Sequence, residues 1–112
     1  MLLSSDLPGS SYDFFYMVHA AITRRDQDGQ PPGGWYVQEK LSPEEAVRGY
    51  STWAAYASFA ENDGGQIAPG RLADLSALSV DPLTLGATDP GALLGGRVRL
   101  TLVNGRVTFD GK

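Results

Sequence analysis

Between residues 12 and 22 the apolar positions fall at helical spacing. Tyr12, Phe15, Val18 and Ile22 follow one another at intervals of three, three and four residues, so they share one helix face. The pattern predicts a helix over 11–25. Ser10 or Ser11 would cap it, Asp13 would lie in its first turn, and Arg24 and Arg25 would lie in its last turn, where cations favour the helix dipole. The polar stretch 26–34, DQDGQPPGG, breaks the pattern and reads as a loop. Ser42-Pro43-Glu44-Glu45 is then a capping box with proline at the first helical position. The helix it opens is expected to run to about Ala60, burying Ala46, Tyr50, Trp53, Ala54 and Ala57, and to stop at Asn62-Asp63-Gly64-Gly65.

From Gly65 onward the pattern is that of short strands. Segments 66–68 and 73–78 read as strands, and 81–96 as irregular chain with one helical turn at 90–94. Segments 97–103 and 106–109 flank Asn104-Gly105, the preferred type I′ hairpin pair. A two-residue loop sets Leu102 opposite Val107 and Leu100 opposite Phe109, with Thr101 meeting Thr108 on the other face. At the other end, Met1-Leu2-Leu3 reads as the end of a buried strand, turned away by Leu7-Pro8-Gly9-Ser10.

Composition narrows the function classes. A chain of 112 residues suits one small domain, and 14 glycines with 7 prolines imply many turns. The net charge is −4 and the largest basic cluster is the pair Arg24-Arg25, which argues against a nucleic-acid partner. There is no cysteine, so disulfides and thiolate chemistry are excluded. No apolar run approaches the ~18 residues of a membrane span, and Met1-Leu2-Leu3 is too short for a signal-peptide core. The expectation is a soluble, cytoplasmic chain with no membrane partner.

Residue by residue, few side chains suggest chemistry. Asp6 is a carboxylate after a short apolar run, and His19 is a lone histidine on a helix, more in keeping with a structural or surface role. Glu44 and Glu45 are explained by the helix start. Tyr12, Phe14, Phe15 and Tyr16 suit core packing better than a substrate pocket. Trp35-Tyr36 in a loop could touch a substrate or a partner subunit, and Asp74 suits a hydrogen-bonding role at a strand start. The glycine pairs at 33–34, 64–65 and 95–96 read as turns, because no strand-to-helix phosphate motif surrounds them.

Several segments taken together resemble the C-terminal end of the amidohydrolase superfamily. They are Ser5-Asp6-Leu7-Pro8, Ala20-Ala21-Ile22-Thr23-Arg24-Arg25, and Lys40-Leu41-Ser42-Pro43-Glu44-Glu45-Ala46 with Tyr50 and Ala54-Ala55-Tyr56-Ala57. The run from Gly65 to Leu75 (GQIAPGRLADL) and then Val103-Asn104-Gly105-Arg106-Val107 complete the set. The branch most similar is amidohydrolase family 3, which includes N-substituted formamide deformylase-like enzymes. The resemblance implies an α+β fragment. Residues 1–62 would be the last strand and two outer helices of a TIM-type barrel, and 63–112 the C-terminal part of a composite β-sandwich. It implies Asp6 as a metal ligand and general base at the end of the eighth barrel strand, where barrel enzymes place their chemistry.

In such an enzyme a divalent metal, zinc by preference, activates water that attacks a non-peptide amide-like carbon–nitrogen bond. A catalytic zinc needs about three protein ligands. The other ligands of the family come from barrel strands outside these residues, so the chain alone is expected to bind no metal and to be inactive. Its implied partners are the missing N-terminal part of the barrel, a small amide-like substrate in the parent, and further copies in a homo-oligomer. Ser4 stands where many relatives have glycine, and Ser76 and Ser79 replace more apolar and acidic residues, which suggests an edge strand. The competing reading is a non-catalytic α+β remnant that acts as an oligomerisation or interaction module.

Overall fold

The computed structural model describes residues 1–6, 9 and 12–112. The fold is α+β, and its contacts divide the chain into two compact units interleaved along the sequence. A helical unit comprises Ser4–Val47 and Val80–Gly96; a sheet unit comprises Met1–Leu3, Arg48–Ser79 and Arg97–Lys112.

In the helical unit, α1 spans Phe14–Thr23. Its cap is Asp13, whose carboxylate accepts from the Phe15 and Tyr16 N–H groups at 2.8 and 3.4 Å. The expected caps Ser10 and Ser11 lie outside the described residues. Arg24 takes the left-handed conformation at φ 58°, and its N–H closes on the Ala20 carbonyl, so Arg24 and Arg25 follow the helix instead of forming its last turn. Phe15, Val18, His19 and Ile22 are the buried face. The expected stripe is therefore present apart from Tyr12, which precedes the helix and is 81% exposed.

Residues 81–96 hold more structure than the expected irregular chain. Helix α4, Pro82–Thr88, is capped by Asp81, which accepts from the Leu83 N–H at 2.9 Å and the Thr84 hydroxyl at 2.7 Å. A 3-10 helix, Pro90–Gly95, follows and buries Leu93 completely. Helix α1 packs against both elements. Close approach depends on glycine here: a Cβ on Gly96 would fall 2.3 Å from Phe15 Cδ1.

Helix α2, Pro43–Tyr50, begins with the expected capping box, and the boundary between the units falls within it. The Ser42 N–H donates to Glu45 Oε2 at 2.8 Å, and the Glu45 N–H donates to Ser42 Oγ at 3.2 Å. The single long helix expected over 43–60 is two helices. Helix α3, Thr52–Ala57, starts after a break at Ser51, whose φ −128° and ψ −95° are not helical. Gly49, Ser51 and Thr52 are weak helix formers clustered at that point. Ala57, expected on the buried face, is exposed.

The sheet unit carries three antiparallel strands in the order β1 (Leu75–Leu78), β2 (Val98–Val103) and β3 (Arg106–Asp110). Strand β1 is an edge, as Ser76 suggests. Asn104 and Gly105 both have positive φ, 49° and 74°, as a type I′ turn requires. Leu102 pairs with Val107 as expected. A register shift between Thr101 and Leu102 then places Phe109 opposite Thr101 and Asp110 opposite Leu100, which replaces the expected Leu100–Phe109 and Thr101–Thr108 pairs. Residues 66–68 form no strand, and Ile67 is 88% exposed.

Met1–Leu3 does not form the expected strand. Its backbone bond runs from the Leu3 N–H to the Gly49 carbonyl at 3.1 Å, and a single bond is not a ladder. The buried apolar residues Phe15, Val18, Ile22, Ala46 and Leu93 all belong to the helical unit. Among the described residues, no helix is long and apolar enough to cross a membrane.

Candidate functional site

Asp6 lies in the helical unit, eight residues before α1, with its side chain exposed. Its φ of 51° is left-handed, a conformation that costs a residue with a Cβ about 1 kcal/mol. Two hydrogen bonds hold its backbone there. The Gly9 N–H donates to the Asp6 carbonyl at 2.7 Å, and the Asp6 N–H donates to Ser4 Oγ at 3.4 Å. Residues held in such conformations cluster at functional positions.

An exposed carboxylate suits one position in the shell of a divalent cation. Among the described residues, no three His, Asp or Glu side chains gather closely enough to hold a metal ion. The residues present therefore fit the ion as one ligand and do not form its site.

Of the remaining candidates, His19 and Phe15 are buried and Glu45 is held in a capping box. His19 is 4% exposed, and among the described residues its Nδ1 has no hydrogen-bond partner. Burial pushes its pKa below the ordinary 6.5, and the positive charge of Arg25 pushes the same way, against a smaller opposing effect of Asp26. The neutral imidazole fills the helix interface. Phe15 is core, and Phe14 meets it edge-on with ring centroids 5.3 Å apart.

Trp35 and Tyr36 are 61% and 58% exposed. Arg24 braces them: its guanidinium lies 5.4 Å from the Trp35 ring centroid and its Nε donates to the Trp35 carbonyl at 3.0 Å. Glu45 is committed to the capping box, whose donors hold its pKa below the usual carboxylate value. In the sheet unit, Asp74 accepts from the Asn104 N–H at 2.6 Å and so fastens the hairpin turn, which is the hydrogen-bonding role expected of it.

The sheet unit also has an open groove of about 480 Å³, lined by Tyr50, Ala54, Ile67, Leu72, Asp74 and Leu75 among others. Sequence reasoning missed the setting of Asp6. In the sequence Ser4 is only a departure from relatives and Gly9 only part of a turn signal.

Comparison with known proteins gives this site a context. The chain is 29% identical over 106 residues to YtcJ of Bacillus subtilis (strain 168), a protein provisionally named an amidohydrolase. The alignment takes in 95% of this chain and 20% of that relative, so the chain spans about a fifth of the relative's length. No solved structure matches it significantly. The family model described as "Amidohydrolase family" matches residues 1–109, a stretch that includes Asp6, the capped helices α1, α2 and α4 and the whole hairpin turn. This chain belongs to the amidohydrolase family.

Proposed function

We propose that these residues are the C-terminal portion of a metal-dependent hydrolase that cleaves a non-peptide carbon–nitrogen bond in a small amide-like molecule. The observation that carries this reading is the family match, which runs from residue 1 to residue 109 and passes through Asp6. The exposed, conformationally constrained carboxylate of Asp6 supports it.

In the intact protein Asp6 would supply one ligand to a divalent ion, zinc by preference, and the other ligands would come from the rest of the barrel. The ion, when bound, supplies Lewis-acid activation of water. Asp6 accepts a proton at a carboxylate oxygen and returns it to the leaving nitrogen. Residues 1–62 form the end of the barrel and 63–112 part of a composite sandwich. Exposed Val103, Val107 and Phe109 in a unit without a buried apolar side chain of its own support a cover supplied by the rest of the parent or by another copy. On this reading the 112-residue chain alone is expected to be inactive.

The test is Asp6→Asn in the protein made from its native gene, assayed on the formyl or acetyl amide that the wild type cleaves fastest. Loss of a general base lowers turnover by about 10²–10⁴-fold. Wild-type turnover and metal content in Asp6→Asn would remove Asp6 from the mechanism.

A further inference from the structure

We propose that the loop after α1 is a self-complementary contact surface, on which Trp35 and Tyr36 of one copy of the protein meet the same loop of a second copy. The proposal does not depend on the chemistry at Asp6. Asp6 precedes the N-cap of α1, whereas the aromatic pair is fastened at Arg24, the C-cap, ten helical residues or about 15 Å further along the axis. The loop is held by its own bonds. The Trp35 N–H donates to the Arg24 carbonyl at 2.8 Å, and Arg24 Nε donates back to the Trp35 carbonyl at 3.0 Å. Asp26 Oδ1 accepts from the Asp28 and Gln30 N–H groups at 2.9 and 2.8 Å, and the Leu41 N–H closes the loop on the Ala21 carbonyl at 2.9 Å.

This frame presents two rings that lie outside the core. Trp35 is 61% and Tyr36 58% exposed, the rings meet edge-on at 4.8 Å, and exposed Val37 extends the apolar surface. Tyr36 stands at φ 48°, a left-handed backbone that glycine adopts freely and a Cβ opposes. A large ring kept on an unfavourable backbone and out of the core points to a role beyond the chain's own fold. Rings already fixed in place lose little freedom on contact, and Trp, Tyr and Arg dominate the binding energy of protein interfaces. Charge selects the occupant. Residues 24–40 carry Arg24, Arg25 and Lys40 against Asp26, Asp28 and Glu39, a sum of zero in a chain of net charge −4. A strongly acidic or basic partner finds no excess of the opposite sign here. In a two-fold contact the same surface faces itself, so it must offer both signs to pair without repulsion, and this loop does.

The experiment follows the protein made from its native gene by sedimentation velocity over a concentration series, with hydroxyl-radical footprinting read at Trp35 and Tyr36 by mass spectrometry. The expected result is a concentration-dependent dimer, with both rings oxidised in the monomer and protected in the dimer. Tyr36→Gly suits the left-handed backbone, so it is expected to melt near the wild-type temperature while weakening the dimer by at least about 30-fold, as loss of a dominant interface ring does. Phe59→Ala removes a ring that is 91% exposed in the sheet unit and is expected to leave the dimer intact. A protein that stays monomeric at every concentration would overturn the proposal, as would a dimer that leaves both rings open to oxidation or survives Tyr36→Gly unchanged. Rings protected in the monomer would also overturn it, because the rest of the parent protein would then cover them.

Discussion

Replacing Gly96 by alanine tests the packing that holds the helical unit together. The backbone at Gly96 has φ −67° and ψ 153°, which alanine adopts without strain, so the whole cost is steric. The new Cβ would lie 2.3, 2.5 and 2.6 Å from three carbons of the Phe15 ring, roughly 1 Å inside an ordinary carbon–carbon contact of ~3.5 Å. Phe15 is 1% exposed, and its ring has no free volume to retreat into. Overpacking of a tight core costs about 1–3 kcal/mol, and a clash of this depth belongs at the upper end.

For a chain of this length, about 3 kcal/mol lowers the melting temperature by roughly 10–15 °C. The assay is urea and thermal unfolding followed by circular dichroism. Phe15→Leu in the Gly96→Ala background makes room for the methyl, so the double variant is expected to be more stable than the sum of the two losses by about 1 kcal/mol or more. A Gly96→Ala change under about 0.5 kcal/mol, or strict additivity in the double variant, would refute the proposed fit of Phe15 over Gly96.

Three further outcomes follow from the same structure. His19 has a lowered folded pKa, so its contribution is complete above the unfolded value of 6.5 and is lost as pH falls from there toward the folded value; urea midpoints are expected to drop across that window in wild type and to stay flatter in His19→Gln. Glu45 also has a lowered folded pKa, set first by the Ser42 N–H and then by its hydroxyl. Its capping is full above 4.5 and fades as pH falls through the lower folded value, and Glu45→Gln removes that part of the acid dependence of helicity. Gly105→Ala meets no neighbour closer than the Ala73 Cβ at 3.8 Å, so its cost is the positive φ alone, about 1 kcal/mol in denaturant titration.

Features written in a few adjacent residues were legible in the sequence. Ser42-Pro43-Glu44-Glu45 contains both partners of its capping box, and Asn104-Gly105 needs only its own dihedrals to make the turn. The Phe15, Val18 and Ile22 stripe needs only helical periodicity. The bulge at Thr101 and Leu102 was not legible, because nothing in either residue announces a register shift. The break at Ser51 was masked by the apolar pattern running on through Trp53 and Ala54, although Gly49, Ser51 and Thr52 recorded the weakness. Helix α4 was missed despite its signal, an aspartate cap followed by proline at 81–82.

Met1–Leu3 has the composition of a strand, yet strand formation depends on a ladder partner that local sequence does not provide. At the candidate site, Asp6 stood out through its family motif. Gly9, whose N–H donates to the Asp6 carbonyl, has the pattern of any turn glycine.

The most direct measurement is the intact mass of the product of the native gene, with bound metal counted on the same sample. A chain much longer than 112 residues carrying about one or two metal ions per chain is the expected result, and it would place these residues at the end of a metal-dependent hydrolase. A 112-residue product without metal would contradict that reading.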